Sequence, residues 1–63
     1  MTQKELLYYE DAVSHEDILL KVCQEAVSKL ENEQLIEIMQ EEITRHTNLK
    51  NILMNTMEGL INE

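Results

Sequence analysis

The chain has 63 residues, no proline, one glycine, one cysteine and a formal net charge of −8. A chain of this length forms one domain at most, and a core this small is marginally stable by itself. One cysteine provides neither an intramolecular disulfide nor the ligand set of a zinc site. Association with a second copy is therefore the expected source of additional stability.

The charge and the hydrophobic pattern argue against several classes of function. Binding to nucleic acid or to an anionic membrane surface needs clustered Lys and Arg, but the chain has 5 basic and 13 acidic residues. No segment approaches the ~20 apolar residues of a membrane-spanning helix. The first residues, MTQKELLYYED, do not contain the apolar core of a signal peptide. We therefore expect a cytoplasmic protein that binds neither nucleic acid nor membrane.

The first predicted element is a long helix. Thr2 and Glu5 have the spacing of a capping box, in which each side chain accepts a hydrogen bond from the backbone of the other. Residues at the a and d positions of a heptad follow, the spacing of a helix that packs along one side. They are Leu6, Tyr9, Val13, Glu16, Leu20, Cys23, Val27 and Leu30. This row predicts a helix over about residues 3–30, with a buried and unreactive thiol at Cys23.

Four polar residues then interrupt the hydrophobic pattern, which predicts a turn at residues 31–34. Asn32 is a favourable N-cap, and Glu33 would place a negative charge in the first turn of a second helix. We expect that helix over about residues 34–61. Its inward-facing residues are predicted from their spacing of three and four to be Leu35, Ile36, Met39, Ile43, His46, Leu49, Leu53, Met57 and Leu60.

Two helices of about 40 Å joined by a short turn must lie antiparallel. The predicted fold is therefore all-α, a single two-helix hairpin over residues 1–63. Each helix also has hydrophobic residues outside its main row, which an isolated hairpin would leave in water: Tyr8, Ile18, Val22, Ile38, Ile52 and Met54. We expect two hairpins to cover them by pairing as a homodimeric four-helix bundle, the architecture of ferritin-like proteins.

Three polar residues stand where the helices should face each other, namely Glu16, Glu42 and His46. Antiparallel pairing brings Glu16 near the level of His46, and Glu42 and His46 stack one turn apart. Carboxylates and an imidazole suit iron, manganese or zinc, so a metal site completed by the second copy of a dimer is one interpretation. The other is a structural polar layer, in which Glu16 pairs with His46 or Lys50 and Glu42 pairs with Arg45.

The structural interpretation is favoured by the spacing of these residues. Di-iron helices use Glu-x-x-His, whereas this chain has Glu-x-x-x-His, and Arg45 stands where that histidine would be. No cofactor is therefore expected, with iron or manganese as the alternative. No glycine-rich phosphate loop is present, and two helices of this length cannot assemble a nucleophile, a base and an oxyanion hole, so we do not expect an enzyme.

The acidic residues near the turn leave a third interpretation open. Five glutamates and no basic residue lie between residues 31 and 42: Glu31, Glu33, Glu37, Glu41 and Glu42. A solvated acidic end of the hairpin is the simpler explanation. A regulatory hairpin that docks a basic protein partner through this end is the alternative.

Two segments, KELLYYEDAVSHEDILLKVCQEAV and LIEIMQEEITRHTNLKNILM, resemble the small helical proteins related to spore coat protein F of spore-forming Firmicutes. The shared features are an opening Lys-Glu-Leu, a Glu-Asp step one to two turns later, and a second helix with acidic residues before a His and Leu-x-x-x-Leu/Met packing after it. The resemblance covers nearly the whole chain. It implies a ferritin-like half-bundle with a structural, spore-associated role and without an established active site.

Overall fold

The computed structural model describes residues 1–61, which form two α-helices and no strand. Helix α1 spans Gln3–Lys29 and helix α2 spans Glu33–Ile61. The helices pack against each other in a shape that measures 47 × 16 × 11 Å. The prediction of an all-α helical hairpin is confirmed, while residues 62 and 63 of the expected hairpin lie outside the described part.

The start of α1 is held by the predicted capping box. The Glu5 backbone N–H donates to Oγ1 of Thr2 over 3.1 Å, and the Thr2 backbone N–H donates to Oε1 of Glu5 over 2.8 Å. Two of the N–H groups that no helical carbonyl can reach are thereby satisfied. At the other end Leu30 has extended backbone, with φ −75° and ψ 142°, and α1 stops before it.

The turn is shorter than the sequence predicts. It consists of Leu30, Glu31 and Asn32, because Asn32 caps α2 and so draws the residues that follow into the helix. The Leu35 backbone N–H donates to Oδ1 of Asn32 over 3.1 Å, and the Ile36 N–H donates to the Asn32 carbonyl over 3.0 Å. The prediction of Asn32 as the N-cap is confirmed.

The side of α1 that faces α2 follows the predicted heptad row. All eight of its residues are half-buried or buried: Leu6, Tyr9, Val13, Glu16, Leu20, Cys23, Val27 and Leu30. Cys23, at 8% exposure, is the only buried residue between positions 1 and 61. The two helices therefore share a line of partly covered contacts and no enclosed core.

The inward-facing row of α2 corrects two of the predicted positions. Leu35 and Leu49 are 46% and 40% exposed and do not belong to it, whereas Leu60, at the end of the helix, lines a surface depression together with Leu6 of α1. The row follows strict heptad steps that pass through a lysine: Ile36, Met39, Ile43, His46, Lys50, Leu53, Met57 and Leu60. A helix turns by about 100° per residue, so Leu49, one residue before Lys50, points to the side of the hairpin.

Neither α1 nor α2, the two helices of the described range, has the combination of length and apolar character needed to cross a bilayer.

Candidate functional site

A polar contact joins the two helices at the middle of the hairpin. Glu16 interrupts the hydrophobic row of α1, and His46 occupies the facing position on α2. Their side chains are only 15% and 18% exposed, and Nδ1 of His46 lies 2.7 Å from Oε2 of Glu16. A carboxylate only accepts hydrogen bonds, so the ring carries a hydrogen on Nδ1 and donates it to Glu16. Of the two partners that the sequence allows for Glu16, the structure selects His46.

The second nitrogen of the same ring faces another carboxylate. Glu42 stands one turn before His46 on α2, and its Oε2 lies 3.3 Å from Nε2 of His46. Arg45 donates from Nη2 to the same Glu42 oxygen over 2.6 Å, which confirms the predicted pair between these two residues. Glu16, Glu42, Arg45 and His46 thus form one continuous network, which we call the polar layer.

The charges of the polar layer stabilise one another. The Arg45 guanidinium, through its hydrogen bond, is the main reason that the pKa of the Glu42 carboxyl lies below its usual value of 4.5, and the His46 ring adds to the effect. Glu42 in turn raises the pKa of Arg45, and the charge of Glu16 contributes to that rise.

A second ion pair connects the helices beside the polar layer. Lys50 of α2 binds Asp17 of α1, and both side chains are partly exposed. The sequence had offered Lys50 as a partner for Glu16, but the interface uses Asp17, which the sequence reading did not single out. The sequence does contain an indication of the Asp17–Lys50 pair, because Asp17 lies one residue after an inward-facing position of α1 and Lys50 lies in the inward-facing row of α2.

The three candidate metal ligands come together in a way that does not fit a metal centre in a single chain. His46 directs one ring nitrogen to Glu16 and the other to Glu42, so the carboxylates flank the ring and do not converge on a shared point. No group of three or more His, Cys, Asp or Glu side chains in residues 1–61 is arranged to hold a metal ion. A metal site that includes a second copy stays a prediction.

Seven large hydrophobic residues are exposed to solvent at equivalent positions of the two helices. Each immediately precedes an inward-facing residue on its own helix, as Val22 precedes Cys23 and Ile38 precedes Met39. A residue that precedes an inward-facing residue is turned by about 100° from the helix interface. Because the two helices run antiparallel, this turn places such residues of α1 and of α2 on the same side of the hairpin. We call this side the open face; its large hydrophobic residues, 37–63% exposed, are Tyr8, Leu19, Val22, Leu35, Ile38, Leu49 and Ile52.

The polar layer borders the open face at its centre. Glu42 precedes the inward-facing Ile43 and Arg45 precedes the inward-facing His46, so both charged residues stand in the same line as Ile38 and Leu49. The open face therefore has a charged centre with hydrophobic surface on either side of it. This arrangement suits burial against a protein surface with the same alternation.

Comparison with protein-family models, with characterised proteins and with solved structures finds no match to this chain. The function is therefore argued from the geometry of the hairpin.

Proposed function

We propose that this protein is a non-enzymatic structural or interaction protein that functions as a homodimer, in which two hairpins pair through their open faces as a four-helix bundle. The observation that carries the proposal is the open face itself. Seven large hydrophobic residues share one side of a hairpin that buries only Cys23 among residues 1–61. Exposed hydrophobic side chains gathered on one side of a small protein are typical of a protein–protein interface.

The extent of the exposed surface supports a second copy as the missing partner. The chain exposes 5108 Å², whereas a compact monomeric protein of 7.4 kDa exposes about 4200 Å². The excess is close to the roughly 800 Å² that each partner contributes to a standard interface. The radius of gyration, 14.6 Å, likewise exceeds the value of about 11 Å for a compact domain of this length.

An assembly role agrees with the chemistry of the polar layer. Each of its groups is paired with another member, and the contact between Glu16 and His46 joins the two helices to each other. The resemblance to small spore-coat helical proteins supports the same role, because it implies a structural, spore-associated function for a ferritin-like half-bundle. The ferritin-like arrangement of four helices is the form that we propose for the dimer.

Sedimentation equilibrium at micromolar concentration tests this proposal. The unmodified chain should sediment as a dimer, and its thermal midpoint should rise with protein concentration because dissociation accompanies unfolding. A helical monomer with a concentration-independent midpoint would disprove it.

Two isoleucines provide a matched pair of variants for the face that dimerises. Ile38 lies on the open face at 50% exposure, and Ile18 lies on the side of α1 that points away from α2 at 58% exposure. Ile38→Lys should sediment as a monomer, since it places a charge in the buried interface. Ile18→Lys should remain a dimer. Dimers of equal affinity for both variants would show that the open face is not the interface.

A further inference from the structure

We infer that the two copies pair with α2 antiparallel to the partner's α2, in one register that the open face of α2 encodes. The residues of α2 on this face are separated by steps of three, four, three, four and three: Leu35, Ile38, Glu42, Arg45, Leu49 and Ile52. This inference rests on the proposed dimer and specifies how its copies are placed.

The order of the spacings and the order of the side-chain types along this row are the same in both directions. Two hydrophobic residues, an acid, a base and two hydrophobic residues follow one another. Alternating steps of three and four form the seam of a helix that packs against another helix. When two such rows run antiparallel about a twofold axis, Leu35 faces the partner's Ile52, Ile38 faces the partner's Leu49, and Glu42 faces the partner's Arg45.

The charges select this register among the possible ones. Glu42 and Arg45 are the only charged residues of the row, and they already lie 2.6 Å apart within one chain. The Arg45 guanidinium has five N–H donors and is mostly exposed, so it can bind its own Glu42 and the partner's Glu42 together. A shift by one heptad would instead set Glu42 against the partner's Ile38, leaving a charge over hydrophobic side chains.

The position of the charges along the hairpin agrees with this placement. The twofold axis would cross α2 between Glu42 and Arg45, within about one turn of the level where Glu16 meets His46 and in the central part of both helices. Overlap of the two hairpins then covers about 35–40 Å of their 47 Å length. A twofold axis parallel to the helices would instead place α2 over the partner's α1, where Glu42 would lie near the partner's Leu19.

Charge complementation tests the pairing of Glu42 with the partner's Arg45. Arg45→Glu places two acids at the centre of the seam and Glu42→Arg places two bases there, so each variant alone should dimerise at least about tenfold more weakly than the unmodified chain, or about 1.4 kcal/mol. An equimolar mixture should form a heterodimer, because every contact between the two copies at the centre then joins opposite charges. Circular dichroism of each variant by itself shows whether it is helical, and rescue in the mixture then reports on the pairing of the charges.

Two results of this experiment would overturn the register. One is unchanged dimerisation of both single variants, and the other is a mixture that associates no better than its components while circular dichroism shows both to be helical. A monomeric unmodified chain would instead remove the proposed function itself.

A distance measurement distinguishes the two orientations of the dimer. A nitroxide label at the turn, introduced by Glu31→Cys with Cys23→Ala, should give one distance of about 35–40 Å between copies, because the two turns lie at opposite ends. A dimer with both turns at the same end would give less than about 20 Å, given interhelical spacings of 8–10 Å. The short distance in a protein that sediments as a dimer would overturn the inference and leave the proposed function intact.

Discussion

His46 and Glu16 are thirty residues apart in the chain, and Nδ1 of one lies 2.7 Å from Oε2 of the other. This is the one close polar contact in residues 1–61 between side chains of different helices that are both less than one-fifth exposed. It fixes the level at which α1 and α2 meet, because sliding either helix by one turn would separate the two groups and leave them partly buried without a partner.

The contact between Glu16 and His46 should contribute measurably to stability. Glu16→Ala and His46→Ala are each expected to lower the free energy of unfolding by about 1–3 kcal/mol, since each leaves a poorly solvated polar group unpaired. The double variant should lose less than the sum of the two, with a coupling energy of about 0.5–3 kcal/mol. Urea denaturation at one fixed protein concentration measures all four forms.

The more exposed pair of Asp17 and Lys50 is the control for that cycle. The same set of alanine variants there should give a coupling of about 0–1 kcal/mol, because solvent screens exposed charges. Equal coupling energies for the two pairs would contradict the special role assigned to the Glu16–His46 contact.

The capping box should make the stability of α1 depend on pH. Hydrogen bonds from the Thr2 backbone and from its hydroxyl hold the pKa of Glu5 below its usual value of 4.5. The carboxylate therefore stabilises the folded state above pH 4.5, and the contribution is lost as the pH falls through the lower folded-state pKa. Glu5→Gln keeps an acceptor but removes the charge. The difference in unfolding free energy between the two proteins should shrink from pH 6 to about pH 3; a constant difference would refute the assignment.

The N-cap of α2 should be more important than its neighbour in the turn. Asn32→Ala removes the acceptor of the Leu35 N–H and should destabilise the protein by about 1 kcal/mol. Glu31→Ala changes an exposed residue of the same turn and should alter stability by less than about 0.5 kcal/mol. Thermal unfolding followed by circular dichroism compares them, and similar midpoints would show that the cap does not determine where α2 begins.

Tyr9 offers a substitution that should not harm the protein. Its hydroxyl oxygen is buried and has no hydrogen-bond partner in the described part of the chain. Tyr9→Phe removes that unpaired group and keeps the ring in its packed position, so the free energy of unfolding should stay the same or rise by up to about 1 kcal/mol. A loss of more than about 1 kcal/mol in urea denaturation would indicate that the hydroxyl has a partner in the dimer.

Much of the hairpin could be predicted because its signals are local. The spacing of Thr2 and Glu5 is sufficient for a capping box, and the side chain of Asn32 reaches an N–H only three residues away. The heptad row of α1 was also correct, since eight positions in strict register leave one choice of inward side. None of these features depends on the position of the other helix.

The inward side of α2 was harder to predict because its hydrophobic residues form two adjacent rows. Leu49 and Lys50 are neighbours in sequence, and hydrophobicity alone assigns Leu49 to the interior. The structure places Lys50 in the facing row, where it binds Asp17 and extends along partly covered surface. Leu49 is then free to join the open face, on which the proposed dimer depends.

The sequence by itself determined the two helices, their N-caps and the presence of a turn between them. It also placed Glu16, Glu42 and His46 near the interface. These features follow from spacings of a few residues. Only the tertiary structure decided that His46 lies between the two carboxylates and that seven of the exposed hydrophobic residues, from both helices, share one side. The physical reason is that these relationships depend on the rotation and the relative level of two helices. Both are set by packing between residues that are distant in the sequence, such as Glu16 and His46, which lie thirty positions apart.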